Sequence, residues 1–395
     1  KENASSNDAT AQMEWGYAIL KAGTNNGSRF ITIKNCNIGL RRLPNTNGTY
    51  GIYSANHTSS SIAELTINDT LGTNSFLKIY SNTIDSAYKG IHINGYNHTS
   101  SPYRYYDHYN EIGVEGGNKV NNVGNSTSLG DSYGIYARYQ DSLKVYNNVV
   151  DNDTLSSGNT YGIYLDASSN ASAWISKNSI SIKHRSSNYS LYGIYVAMGD
   201  TVSGTRIINI ITVDSNTIEN SYANNGAYSG TFYGINVNSR PRTVKVSGNT
   251  VRNNTIPGTG YMNLIYIGGN PTFLNVYDNL IYSNRKTGSS GYMYCITGRT
   301  SKSEIYRNKI YNDSIPNSSG TSQMQIYGIY NNGSPVTEHY NDNEIHNLGI
   351  SGTNTNGNNF IRGIMPANAS ASDKRIHGNK IYNLTMNLSG VTGGA

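Results

Sequence analysis

Apolar positions fall in a fixed frame, apolar-x-x-Asn-x-apolar, that returns roughly every thirty residues along the chain. It reads Ile79-Tyr80-Ser81-Asn82-Thr83-Ile84, then Ile175 to Ile180, Val213 to Ile218, and as far on as Ile376 to Ile381. Its asparagines are Asn82, Asn118, Asn148, Asn178, Asn216, Asn249, Asn279, Asn308, Asn343 and Asn379, with gaps of 36, 30, 30, 38, 33, 30, 29, 35 and 36 residues. A second pattern alternates with it, Tyr-Gly-Ile-Tyr at 50–53, 133–136, 161–164, 192–195 and 327–330, with weaker copies starting at Tyr233, Asn263, Tyr294 and Arg362. Each repeat is two short alternating runs rich in β-branched and aromatic residues, joined by Gly, Ser, Asn and Thr. Such runs read as strands and turns. No helical apolar period persists for three turns, and 42 Gly with 57 Asn disfavour one.

A repeat of this length predicts a solenoid. The fold expected is all-β, a single-stranded parallel β-helix (solenoid) of about ten to eleven coils, forming one elongated domain over 1–395. At the interstrand spacing of about 4.8 Å it would be roughly 50 Å long. An Asn at one corner of every coil can then pass its amide hydrogens to the carbonyl above it, forming a ladder in which buried polar groups satisfy each other. Asn also tolerates the left-handed backbone that a sharp corner requires. The apolar content of 36% is low for a globule but suffices for a thin inward column of Ile, Val and Leu. Residues 97–117 read as an inserted lateral loop.

Both ends are polar or open. Lys1-Glu2-Asn3-Ala4-Ser5 shows neither an initiating Met nor a signal peptide, and no cap helix follows Asn379-Lys380-Ile381. The expectation is a segment of a longer chain, or ends that dock onto something else. No stretch approaches the length of a membrane helix. Cys36 fills the Asn slot of an early frame (Ile33 to Ile38) and Cys295 the Gly slot of a late one. Several coils apart, they are expected to be free thiols rather than a disulfide.

On these frames the chain resembles the right-handed parallel β-helix repeat proteins. That fold is shared by pectin and polysaccharide lyases, some glycoside hydrolases and many large surface proteins of bacteria. The resemblance covers roughly residues 15–390 and implies a right-handed helix, without fixing an activity. A hydrolase of the pectin type would show Asn-Thr-Asp, Asp-Asp, Gly-His-Gly and Arg-Ile-Lys. Here Asn-Thr is followed by Ile (Asn82-Thr83-Ile84, Asn216-Thr217-Ile218), the second and third motifs are absent, and Arg375-Ile376-His377 comes nearest to the fourth. Glycoside hydrolysis needs two convergent carboxylates, and a pectate-type lyase needs a calcium-binding acidic cluster and a base. The 24 Asp and Glu are mostly scattered singly. If the chain is an enzyme, its candidate catalytic groups are Arg104, Asp107, His108 and Glu111, in the ionisable and aromatic stretch 103–111. The same stretch also fits a lateral loop held to the helix by its tyrosines.

In Tyr-Gly-Ile-Tyr the Ile faces inward, so the next residue faces outward. That outward column runs Tyr53, His92, Tyr136, Tyr164, Tyr195, Asn236, Tyr266, Thr297, Tyr330 and Met365. A second follows the Asn frame as Tyr282, Tyr311, His346 and Tyr382. Rings at this spacing can stack on sugars or on a partner's apolar surface, so Tyr53, Tyr136, Tyr164, Tyr195, Tyr266 and Tyr330 are the candidate contact residues. They can equally serve to cover a sheet and tie neighbouring strands together.

The net charge of +6 is diffuse, with small clusters at Arg41-Arg42 and Arg240/Arg242. It permits weak attraction to acidic polysaccharide or a cell surface. No nucleic-acid-binding motif is present, and no metal or cofactor is implied. Six Asp-Ser/Thr-apolar triplets, with Thr70, Ser86, Ser142, Thr154, Thr201 and Ser314 as acceptors, resemble the O-glycosylation motif of some Gram-negative bacteria that decorate exported proteins. The function expected from these features is a cell-surface or secreted structural and adhesive segment that binds glycans. The alternatives are a polysaccharide lyase or glycoside hydrolase, and an export substrate held by secretion or outer-membrane machinery.

Overall fold

The structure, a computed structural model, describes residues 14–40, 49–124, 130–154, 158–185, 188–201, 208–223, 226–367 and 373–389. The chain is all-β, with parallel sheets stacked as a β-solenoid of about ten turns. One turn runs through Leu191–Val196, Ile210–Asp214 and Thr217–Glu219, and the next through Phe232–Val237, Thr243–Ser247 and Thr250–Arg252. The turns stack in register, Ile194 on Ile235, Val213 on Val246 and Ile218 on Val251. Three long parallel sheets result, and their inward Ile and Val residues form the core. The sheet carrying Tyr-Gly-Ile-Tyr is called the tyrosine sheet below.

The asparagine ladder is present over its full predicted length. Each side-chain Nδ2 donates to the Oδ1 of the next framework Asn, as in Asn178 to Asn216 at 2.9 Å and Asn216 to Asn249 at 3.0 Å. The same Oδ1 accepts the backbone N–H of the Asn before it, at 3.0 Å from Asn178 to Asn216. The second Nδ2 hydrogen reaches a strand carbonyl one coil back, Ile175 O for Asn216 at 2.9 Å. All the hydrogen-bonding capacity of the amide is used, which is what allows it to be buried.

The left-handed backbone sits one residue earlier than the sequence suggested. Ser81, Asn147, Lys177, Ser215, Asp278, Arg307 and Asp342, each just before a ladder Asn, have φ between 51° and 58°. The ladder asparagines themselves do not take positive φ. Their side chains must point inward along the axis, so the preceding residue makes the bend and leaves its own side chain in solvent.

A second, shorter ladder lies at the next corner. Asn254 Nδ2 donates to Asn284 Oδ1 at 2.9 Å, and Asn284 Nδ2 donates to Asp313 Oδ1 at 3.0 Å. Ala87 and Val123 occupy this inward corner in earlier coils and Leu348 in the one after Asp313, all fully buried. Asp313 is therefore a carboxyl group ending a polar ladder against an aliphatic neighbour. Burial pushes its pKa up to about 7, against the lowering effect of the Asn284 hydrogen bonds. The thiol of Cys295 donates toward its other oxygen at 3.6 Å. Cys36 and Cys295 are both free thiols.

Lys286 is another charge inside the bore, in register with Ile256. Its ammonium donates to Gly258 O at 2.8 Å, and desolvation lowers its pKa to about 8 from 10.5. The folded state thus binds fewer protons than the unfolded chain between pH 8 and 10.5, and stability rises with pH across that window. Lys286→Met is expected to stabilise the protein by about 2 kcal/mol at pH 7, allowing for the lost hydrogen bond. Its advantage over the parent should vanish by pH 10.5 in chemical denaturation.

Within the predicted loop 97–117, Asp107–His108 and Glu111–Ile112 are short strands that pair with Gln140–Asp141 and with Lys144–Val145. The lateral excursion lies before Asp107. Tyr103 and Tyr106 are buried in it and pack with Tyr139 beside the solenoid, apart from the main core. Among the described residues, no helix is long and apolar enough to cross a membrane.

Candidate contact face and its interruption

The tyrosine sheet presents two outward columns of side chains, where sequence alternation indicated one. Strict alternation would place the two tyrosines of Tyr-Gly-Ile-Tyr on opposite faces. Here Gly and Ile both face the core, and the strand bends between them. A Cβ on Gly193 would lie 2.5 Å from the carbonyl oxygen of Gly234 and 3.0 Å from Ile218 Cγ2, so the close approach of adjacent coils requires glycine there. Both flanking tyrosines consequently point outward.

The first column runs Trp15, Tyr50, Lys89, Tyr133, Tyr161, Tyr192, Tyr233, Asn263, Tyr294, Tyr327 and Arg362 in successive coils. The second is the column expected from the sequence, with Tyr53 on His92, Tyr136 on Tyr164 and Tyr164 on Tyr195. Rings touch along and across the columns. Tyr161 and Tyr192 have centroids 4.7 Å apart at 7°, Tyr192 and Tyr233 lie 4.9 Å apart at 2°, and Tyr161 and Tyr164 lie 4.8 Å apart at 19°. Where a ring is missing low in the first column, the Lys89 ammonium sits 5.3 Å from the rings of both Tyr50 and Tyr133.

This stacking determines what the face can bind. In a parallel ring ladder each flat face is covered by the next ring, and solvent meets mainly the edges. Burial raises the phenol pKa along the columns, with Tyr53 pushed up to about 12 and Tyr133, Tyr161, Tyr192 and Tyr233 also raised, neighbouring phenols adding to the effect. Along the first column the ring faces are thus used in joining coils, whereas Tyr136 and Tyr164 in the second meet edge-on, 5.3 Å apart at 79°.

The ladder breaks once in its upper half. Asn263 takes a ring position in the first column, and Asn236 and Thr297 take ring positions in the second, on either side of Tyr266. The break is a cleft of about 220 Å³ walled by Tyr233, Tyr266, Tyr294 and Tyr330, with Asn263 and Thr297 in its lining. Tyr233 meets Tyr266 edge-on, 5.5 Å apart at 65°, and parallel stacking resumes at Tyr294 on Tyr327. Thr297 Oγ1 and Asn236 Oδ1 are buried without a hydrogen-bond partner.

The other predicted aromatic column is a compact stack. Tyr282, Tyr311, His346 and Tyr382 follow one another at 5.0, 5.2 and 4.7 Å, with interplanar angles of 2°, 5° and 2°. Its ring faces are mutually covered, so it behaves as a strand-joining ladder.

The four ionisable residues of the 103–111 stretch do not converge. Asp107 is fully buried, accepts the Asn74 N–H at 2.8 Å and faces the buried ammonium of Lys21 at 3.8 Å. Burial raises its pKa and lowers that of Lys21. Glu111 is paired at 2.9 Å with Lys144, its neighbour on the adjacent strand of the same sheet. His108 donates its Nε2–H to Arg104 O at 2.9 Å, and its Nδ1 lies 3.5 Å from Asp141, whose carboxylate helps raise its pKa against desolvation. Arg104 and His108 share a cleft of about 370 Å³ with Arg29, Phe76 and Tyr109. Phe30, Phe76 and Tyr109 stack there at 4.7 and 5.5 Å from corners with φ of 58°, 62° and 56°. Sequence reasoning missed this bulky aromatic corner, because the positive φ it occupies normally selects Asn or Gly.

The Asp-Ser/Thr triplets occupy defined structural places. Asp69 caps the short turn Thr70–Gly72 by accepting the Leu71 N–H at 2.8 Å. Ser86 and Ser142 are left-handed corner residues, and Asp313 is the buried ladder end described above. Asp200 accepts the Arg240 N–H at 2.6 Å. Thr70 and Thr201 are exposed, whereas Ser86, Ser142 and Ser314 are half-buried. The Thr154 side chain and Arg41-Arg42 lie outside the described residues. Among the described residues, no group of three or more His, Cys, Asp and Glu could hold a metal ion. No family model, curated protein or solved structure matches the chain.

Proposed function

We propose that this chain is a structural and adhesive β-helix of a surface-exposed or secreted protein, whose tyrosine sheet makes contact with glycans. The observation that carries this reading is the tyrosine sheet itself, an outward aromatic face running coil after coil and broken at one cleft with open ring faces. Exposed ring surface beside polar floor groups is the chemistry that saccharides match, since their C–H faces stack on rings while their hydroxyls form hydrogen bonds. Asp107 is buried against Lys21 and Glu111 is paired with Lys144, which supports contact over hydrolysis, since hydrolysis needs two carboxyls facing one bond. The exported setting rests on the resemblance to bacterial surface β-helices. A glycan array probed with the intact chain is expected to retain specific oligosaccharides. If no glycan is retained, the reading fails.

A further inference from the structure

We infer that the break in the ring columns at Asn263 and Thr297 is a subsite for one neutral pyranose unit of a glycan, with Tyr266 as its stacking platform. This rests on the glycan-contact reading above and narrows it to one place and one chemical class.

Ring availability points there first. In its own column Tyr266 lies between Asn236 and Thr297, so no ring covers either of its faces from that direction. Tyr233 and Tyr294 flank Asn263 in the other column, and each turns one side to the space a ring would fill. Elsewhere, pairs such as Tyr192 and Tyr233, at 4.9 Å and 2°, leave no room for a sugar between them.

The polar groups supply a second, independent reason. Thr297 is 3% exposed and Asn236 is 4% exposed, yet Thr297 Oγ1 and Asn236 Oδ1 have no hydrogen-bond partner. Leaving such a group buried and unpaired is destabilising. An aromatic residue in either slot would avoid that cost, and Tyr136, Tyr164, Tyr195 and Tyr330 fill the same column in other coils. A ligand hydroxyl entering beside Tyr266 can donate to Thr297 Oγ1, which lines the cleft, after a small side-chain shift. An apolar partner side chain could not, which favours a saccharide over a protein ridge.

Charge and size define the class. The cleft is lined by Tyr, Asn and Thr, with no ionisable acid or base other than the tyrosine phenols. A uronate or amino sugar would bring an unpaired charge into it, at high desolvation cost. A cleft of about 220 Å³ is smaller than a pocket for a drug-sized ligand. It fits a single ring, with the rest of a chain running over the sheet.

The test is calorimetric titration of the intact chain with neutral tetrasaccharides of glucose, galactose, mannose and N-acetylglucosamine, and with an acidic galacturonate tetramer. At least one neutral probe is expected to bind. Thr297→Tyr, which fills the slot between Tyr266 and Tyr330, and Tyr266→Ala should each weaken that binding at least tenfold, with Tyr266→Phe retaining it. Tyr277→Ala, on a different sheet, serves as the surface control and should bind as the parent does. If Thr297→Tyr fails to fold, the Tyr266 pair decides alone. Unchanged neutral binding in Tyr266→Ala would place the contact elsewhere, overturning the subsite but not the glycan reading. Binding of the acidic tetramer alone would overturn the neutral class. Binding of none by the parent chain would overturn both.

Discussion

Asn216→Ala is expected to destabilise the solenoid by about 5 kcal/mol. The change removes the acceptor that serves Asn178 twice, at 3.0 Å from its backbone N–H and 2.9 Å from its Nδ2. It also removes the donor to Ile175 O and the donor to Asn249 Oδ1. The site is fully buried, so water cannot take over these bonds. Two donors and one strand carbonyl are left unpaired, at about 1–3 kcal/mol each. Because each coil contacts only its neighbours, the damage should be local first. Hydrogen exchange should show the Asn178 amide losing protection ahead of amides several coils away. Equal loss along the whole chain, or none, would show that the ladder is not what fixes the corner.

Asp313→Asn should do the opposite and in a pH-dependent way. The folded carboxyl has its pKa raised to about 7 from 3.8, so the folded state holds more protons than the unfolded chain between those values. Stability of the parent therefore falls as pH rises from about 4 to 7 and stays low above that. An amide keeps the acceptor for Asn284 and continues the ladder of Asn254 and Asn284 without a charge facing Leu348. The variant is expected to exceed the parent by about 3–4 kcal/mol at pH 8 and to match it near pH 4. Denaturant unfolding at the two pH values measures the difference. A variant equally stable relative to the parent at both would mean that Asp313 stays charged in the core.

These two residues also show how far the sequence could be read. The main ladder was legible because Asn216 and its counterparts sit between apolar residues that keep strict phase with them. The second ladder carries the same apolar-x-x-Asn frame five residues later, as in Ile281-Tyr282-Ser283-Asn284. It was overlooked because only a few central coils use it, while Val123 and Leu348 fill the slot elsewhere.

The contact face was half legible. Alternation along a strand located Tyr53, Tyr136 and Tyr164 on the outside, but a period of two cannot foresee a bend at Gly134 or Gly162. That bend, imposed by backbone contact with the next coil, turned the preceding Tyr133 and Tyr161 outward as well. It converted a single row of rings into a self-stacked surface, and it made the slots without rings more informative than those with them. Asp107 was hidden for a related reason. A sequence of alternating ionisable residues looks like a polar loop, yet the coil resumes at Asp107, whose register with Gln140 turns its carboxyl inward toward Lys21.

The central claim is that the outward phase of the repeat makes contacts rather than breaking bonds. The most direct measurement is a mass spectrum of neutral oligosaccharides recovered with the intact protein after prolonged incubation. The account predicts sugars retained at their original mass by the parent chain and lost from Tyr266→Ala. Shortened or unsaturated products, or no retained sugar at all, would contradict it.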